Sequence, residues 1–292
     1  MLPRAVLIQR ATEYEELLAR HGTREQVRFF LHERGRTLEE VAGRHERLET
    51  ARRAVLGAVP ADWRRAVVAR SELDRFLFAD DDIVVVLGQD GLVANAAKYL
   101  AGQPVIGLNP EPERWPGVLV PHPPAAAGDL LRDVARGRAT AERRTMVEAR
   151  LDDGRRLLAL NEIFLGHASH QSARYTLDVA DDRERQSSSG VIVTSGTGAT
   201  GWAASIHRER RSTLRLPAPA EPALAYFVRE AWPSAATGTR LTEGRVARLR
   251  LQSEMGEGGV AFGDGIEHDR LPLDWGRRVE VRVAREVLNL VR

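Results

Sequence analysis

Over its first third the chain alternates short apolar runs with amphipathic stretches; beyond that it becomes a series of closely spaced apolar runs with little helical periodicity. Ala5-Val6-Leu7-Ile8, Ala66-Val67-Val68-Ala69, Ile83-Val84-Val85-Val86-Leu87 and Pro104-Val105-Ile106-Gly107-Leu108 read as strands. The third is continuous and rich in β-branched residues, as expected of a strand covered on both faces in a parallel sheet. Helices are predicted at 13–20, 24–34, 37–58 and 92–101, and in the long one Leu38, Val41, His45 and Leu48 recur at helical spacing. Strands alternating with helices predict an α/β, Rossmann-like parallel sheet.

The stretch 109–124 carries six prolines and reads as a domain boundary or a rigid loop. A short helix follows at 129–136. Then 146–151 and 156–160 flank Asp153-Gly154, a hairpin signal. Further strands are expected at 175–179, 190–194, 224–228, 246–251, 260–263 and 279–283, with a helical turn at 202–208. This pattern predicts an all-β C-terminal domain. The expected division is 1–122 for an α/β domain and 123–292 for a β-rich domain.

Composition narrows the function. The 292 residues suffice for a sizeable core. No apolar run reaches the ~20 residues a membrane helix needs, and the N-terminal residues do not read as a signal peptide. A cytoplasmic protein without membrane association is expected. There is no cysteine, which excludes disulfides, thiolate metal sites and a cysteine nucleophile. The net charge of +2 and the arginines interspersed with Glu and Asp argue against a nucleic-acid partner. Lys98 is the only lysine and lies between Ala97 and Tyr99, so no P-loop is present.

Three stretches carry candidate chemistry. In Gly88-Gln89-Asp90-Gly91 a buried strand ends in glycines and a helix starts at once. Glycines let backbone approach a ligand, and helix starts favour anions. Asp90 there either faces a ligand at the carboxyl end of the strand or caps the helix. Asn161-Glu162 interrupts an apolar segment, where polar groups need partners, either backbone or ligand. Thr194-Ser195-Gly196-Thr197-Gly198-Ala199-Thr200-Gly201-Trp202 is a loop of small hydroxylated residues after a strand, able to wrap a polar ligand or simply to turn.

In order and rough spacing these stretches resemble the NAD kinase family, with its Gly-Gly-Asp-Gly, Asn-Glu and Thr-Pro-Thr-Gly-Ser-Thr-Ala-Tyr motifs. Asp264-Gly265 resembles the family's late Asp-Gly turn. Ser188-Ser189-Gly190 and Asn109-Pro110-Glu111-Pro112-Glu113-Arg114 resemble its divergent mitochondrial-type branch. Gln89 stands in place of the second glycine, Leu92 of threonine, Gly196 of proline, Trp202 of tyrosine and Ser189 of aspartate.

The resemblance implies transfer of the ATP γ-phosphoryl group to the 2′-hydroxyl of the adenosine ribose of NAD. Asp90 would be the catalytic base, with Gly88 and Gly91 giving the phosphates room. Asn161 and Glu162 would hold the ribose and nicotinamide part of NAD, and Thr197, Thr200, Gly201 and Trp202 would line the dinucleotide pocket. Mg²⁺ would arrive with ATP rather than in a dedicated protein site. A homodimer is also implied. Two other readings stay open: a kinase of this fold acting on another hydroxylated metabolite (a nucleoside, sugar or lipid), and a non-catalytic NAD-binding sensor.

Overall fold

The computed structural model describes residues 2–292, and the chain forms two compact units. The first takes in the residues through Ala96, Gln103–Ala141 and Leu290–Arg292; the second, Ala97–Gly102 and Glu142–Asn289.

The first unit runs β1 (Arg4–Gln9), α1 (Glu13–His21), α2 (Arg24–His32), α3 (Leu38–Ala58), β2 (Arg64–Ala69), β3 (Asp82–Leu87), α4 (Asp90–Ala97), β4 (Pro104–Leu108) and α5 (Ala127–Ala135). Its strands pair in parallel in the order β2-β1-β3-β4. Every residue of β3 is buried, which is what its unbroken apolar run requires. Asp82, at its start, is buried too and is neutralised by Arg4, 2.6 Å away on the neighbouring strand. Leu7, Val85, Ile106 and Leu108 pack under Val55 of α3, Val59 just beyond its end and Leu131 of α5. Leu17, Val27, Leu31, Leu38 and Val41 make a second, purely helical cluster.

Each of the first three helices opens on a threonine. Thr12, Thr23 and Thr37 are extended, and each hydroxyl accepts the N–H three residues on. That satisfies one of the donors a helix start leaves free.

The second unit is a sandwich. One sheet has the order β6-β5-β16-β13-β8-β9, from β5 (Ala141–Leu151), β6 (Arg156–Ala159), β8 (Ala173–Val179), β9 (Asp182–Ser188), β13 (Arg248–Ser253) and β16 (Arg278–Val291). The other has the order β12-β11-β10-β7-β14-β15, from β7 (Glu162–His167), β10 (Val191–Thr194), β11 (Leu224–Val228), β12 (Glu243–Val246), β14 (Gly259–Gly263) and β15 (Arg270–Pro272). Val147, Leu165, Tyr175, Val193, Leu251 and Val281 fill the space between them. On the outer face of the second sheet, Phe164, Ile192 and Phe227 are covered by Ala203 and Ile206 of α6 (Trp202–Glu209).

The pattern misses some elements. β9, Asp-Arg-Glu-Arg-Gln-Ser-Ser, an edge strand paired with β8, has no apolar alternation: its buried residues, Gln186, Ser187 and Ser188, are polar. The run at 246–251 divides between β12 and β13, and β16 extends from 278 to 291 instead of 279–283. Asn161 lies in the corner between β6 and β7, so the polar pair turns the chain at that point.

Candidate active site

Asp90 follows the carboxyl end of β3, where open α/β sheets place their ligand-binding residues. It begins α4, yet its carboxylate does not cap that helix. One oxygen accepts the Val118 N–H at 2.9 Å and the other the Leu119 N–H at 2.8 Å. The proline-rich stretch thus folds back within the first unit. Asn109 holds its base, donating to the Trp115 carbonyl at 2.6 Å and accepting from the Glu111 N–H at 2.9 Å. Gly88 uses its N–H on the Leu108 carbonyl at 3.0 Å. Gly91 is exposed in the first turn of α4, with open space where a side chain would stand.

Gly107 makes this approach possible. A Cβ at that position would lie 2.0 Å from the Leu119 carbonyl oxygen. Gly107→Ala is therefore expected to push the 118–120 segment off β4 and to cost about 1–3 kcal/mol. Denaturant unfolding measures that loss; an unchanged midpoint would mean that the segment moves aside freely.

In the second unit the Asn161–Glu162 corner is clamped from below. Asp264, at φ 53°, accepts the Leu160 and Asn161 N–H groups at 2.8 Å each and the Glu162 N–H at 3.4 Å. Burial pushes the Asp264 carboxyl up to about 6, against the pull of these N–H groups and of Lys98. Glu162 is pushed up to about 7, first by burial and then by the negative charge of Asp264. Two carboxyl groups of raised proton affinity therefore share the corner. Lys98, its side chain 1% exposed, lies 2.9 Å from Asp269, which also accepts the Tyr99 hydroxyl at 2.8 Å.

The small-residue loop locks onto this corner. The Ser195 N–H donates to the Asn161 carbonyl at 2.8 Å, and the Thr194 hydroxyl reaches the same carbonyl at 3.1 Å. Thr197 is buried, and its hydroxyl accepts from Arg144 at 3.4 Å. Thr200 and Gly201 are exposed at the turn into α6, the Thr200 hydroxyl bonded to the Thr197 carbonyl at 3.1 Å. Trp202 lines a cavity of about 410 Å³ together with Phe164, Arg229 and Arg270. Of the loop positions expected to line a dinucleotide pocket, Trp202 is the one at this cavity. Among the described residues no cluster of three or more His, Asp or Glu is placed to hold a metal ion, and no helix is long and apolar enough to cross a membrane.

No protein-family model matches the chain. It is 33% identical over 132 residues to an NAD kinase of Psychrobacter arcticus, a match covering 42% of this chain and 40% of the relative. It is 35% identical over 133 residues to an NAD kinase of Methylococcus capsulatus, covering 42% of this chain and 44% of the relative. The matches thus span less than half the length of these curated relatives. Among solved structures, yeast NADH kinase complexed with NADH superposes with a TM-score of 0.59 at 16% identity, covering 100% of this chain and 84% of that one. An NAD kinase from Archaeoglobus fulgidus in complex with ATP gives a TM-score of 0.58 at 17% identity, covering 99% and 93%. The chain has the fold of these kinases.

Within the NAD kinase fold, three features of this chain were not legible as site chemistry. The backbone partners of Asp90 lie 28 and 29 residues downstream, and no local pattern links them. Asp264 stands out in the sequence only as an Asp-Gly turn, although its carboxylate shapes the corner 100 residues earlier. Arg229 follows β11 without any motif, and its guanidinium sits 5.2 Å from the centre of the Trp202 ring.

Proposed function

We propose that the chain is an ATP-dependent kinase that phosphorylates the 2′-hydroxyl of the adenosine ribose of NAD or NADH. The observation that carries this reading is Asp90, an acid fixed in one orientation at the carboxyl end of a buried parallel strand. Phosphoryl transfer passes through a loose transition state, so the protein's work is placing the acceptor and balancing charge. Asp90 orients the hydroxyl and takes its proton as the new bond forms. The two N–H groups it accepts hold the carboxylate still and leave lone pairs for the acceptor.

Asn161 and Glu162 hold the dinucleotide, with Thr197, Thr200, Gly201 and Trp202 completing its pocket. Gly88 and Gly91 leave space for phosphate, the latter with an open position beside it. Mg²⁺ comes as the ATP complex; the described residues offer no cage of their own, and this ion prefers phosphate and water oxygens. The reading carries with it a homodimer and a cytoplasmic location, both from the family resemblance.

The test is product formation from purified protein, ATP, Mg²⁺ and either NAD or NADH, read with a dehydrogenase specific for the phosphorylated dinucleotide. Turnover is expected with at least one acceptor. Binding of dinucleotide without any ATP-dependent product would sink the kinase reading in favour of a sensor.

A further inference from the structure

The 410 Å³ cavity of the second unit has a charge pattern the proposed reaction does not itself require. Trp202 and Phe164 offer it two nearly parallel rings, 15° apart in plane and 6.0 Å between centres. Arg229 stands over Trp202, 5.2 Å from its ring centre. Arg270 lines the same space, and Glu267 is the one carboxylate there among the described residues. Glu230 pairs with Arg229 at 3.4 Å, but its side chain is 61% exposed, so solvent screens most of that charge. His167 and His170 add no negative charge. An incoming group therefore meets an aromatic surface in a cavity with a net excess of fixed positive charge.

We infer that this cavity takes the nicotinamide ring and that Arg229, with Arg270, selects its reduced, uncharged form, so the acceptor is NADH in preference to NAD. This rests on the kinase reading above. That reaction uses the adenosine end of the dinucleotide, leaving the other ring free to be held elsewhere by stacking. The oxidised ring is a cation and the reduced ring is neutral, while the rest of the molecule is the same. Both rings can pack against the part of this aromatic pair that the guanidinium leaves uncovered. A bare indole face would attract the cationic ring; here a guanidinium already occupies that face. In a partly desolvated cavity, like charges at this range repel more than they would in water. Repulsion therefore decides, and it acts on binding rather than on the transfer step.

The experiment compares NADH and NAD as acceptors at fixed MgATP, in the wild type and in Arg229→Gln and Arg229→Gln/Arg270→Gln, with calorimetric Kd values for both dinucleotides. A thermal melt of each variant checks folding. The wild type is expected to favour NADH by about tenfold or more, corresponding to about 1.4 kcal/mol. The difference should appear in KM and Kd and leave the kcat ratio near one. The double variant should bring the ratio close to unity, mainly by improving NAD. Equal affinities in the wild type, or a preference that survives the double variant, would overturn the assignment. Loss of transfer with both acceptors would instead defeat the kinase reading, and the Kd ratio would still judge the cavity. Binding of neither dinucleotide would overturn both.

Discussion

Asp90→Asn is expected to lose turnover by about 10²- to 10⁴-fold, the usual range for a positioned general base. The amide keeps the size of the side chain but cannot accept the acceptor's proton. It also disturbs the two hydrogen bonds that orient Asp90. An amide offers one oxygen and one NH₂ group, so either Val118 or Leu119 then faces a donor. An N–H left without its acceptor costs about 1–3 kcal/mol where it is buried, and less at this partly exposed position.

Two losses are therefore mixed in one variant, and the measurement must separate them. Single-turnover kinetics with saturating ATP and dinucleotide report the chemical step, while dinucleotide Kd and the unfolding midpoint report placement and folding. A large fall in rate, with Kd within a few-fold of the wild type, assigns Asp90 to the chemistry. A variant that turns over at nearly the wild-type rate would remove Asp90 from the mechanism and leave it as a pin for the proline-rich loop. A companion change, Gly107→Ala, disturbs the same loop without touching the carboxylate. If its rate falls as far as that of Asp90→Asn, loop placement rather than proton acceptance is what both variants lose.

The strands of the first unit and the start of α4 could be read from the sequence because burial on both faces leaves an unbroken apolar run, as in Ile83 to Leu87. The Asp153-Gly154 hairpin was legible for a similar reason, since its turn chemistry is local. What escaped was set by distant partners. β9 is polar even where it is buried, at Gln186, Ser187 and Ser188, so apolar periodicity has nothing to register. The role of Asp90 toward Val118 and Leu119 depends on a loop whose path is fixed by Asn109 and by the missing side chain of Gly107. The reading of Asn161-Glu162 as a break in one strand was close, but the corner exists because Asp264 gathers three consecutive N–H groups. Tertiary hydrogen bonds of that kind leave no spacing for a sequence to show.

The same clamp yields the second large effect: Glu162→Gln is expected to stabilise the protein at pH 8 while weakening dinucleotide binding. Glu162 has its proton affinity raised to about 7 in the folded chain, by burial and by Asp264, against about 4.3 for an unperturbed glutamate. A carboxyl group raised in this way adds stability that is complete below its unfolded value and is lost as pH climbs through its folded one. The loss therefore develops between about pH 4 and pH 7, and at pH 8 it amounts to about 3–4 kcal/mol. Glutamine carries no charge to desolvate and removes the repulsion from Asp264. At pH 8 its melting temperature should rise by about 5 °C; at pH 4, where the wild-type residue is already neutral, the two proteins should melt together. Asp264→Asn should behave in the opposite way despite removing a charge from the same corner. Its carboxylate accepts from Leu160, Asn161 and Glu162, and an amide cannot serve all three N–H groups. If the ionised form of Glu162 grips the ribose hydroxyls, wild-type KM for the dinucleotide falls as pH rises through about 7, and Glu162→Gln flattens that profile at a KM about tenfold higher. Melting curves and KM profiles over pH 4–9 read both effects. A variant no more stable than the wild type at pH 8 would show that the corner hydrates its charge and that burial does not strain it.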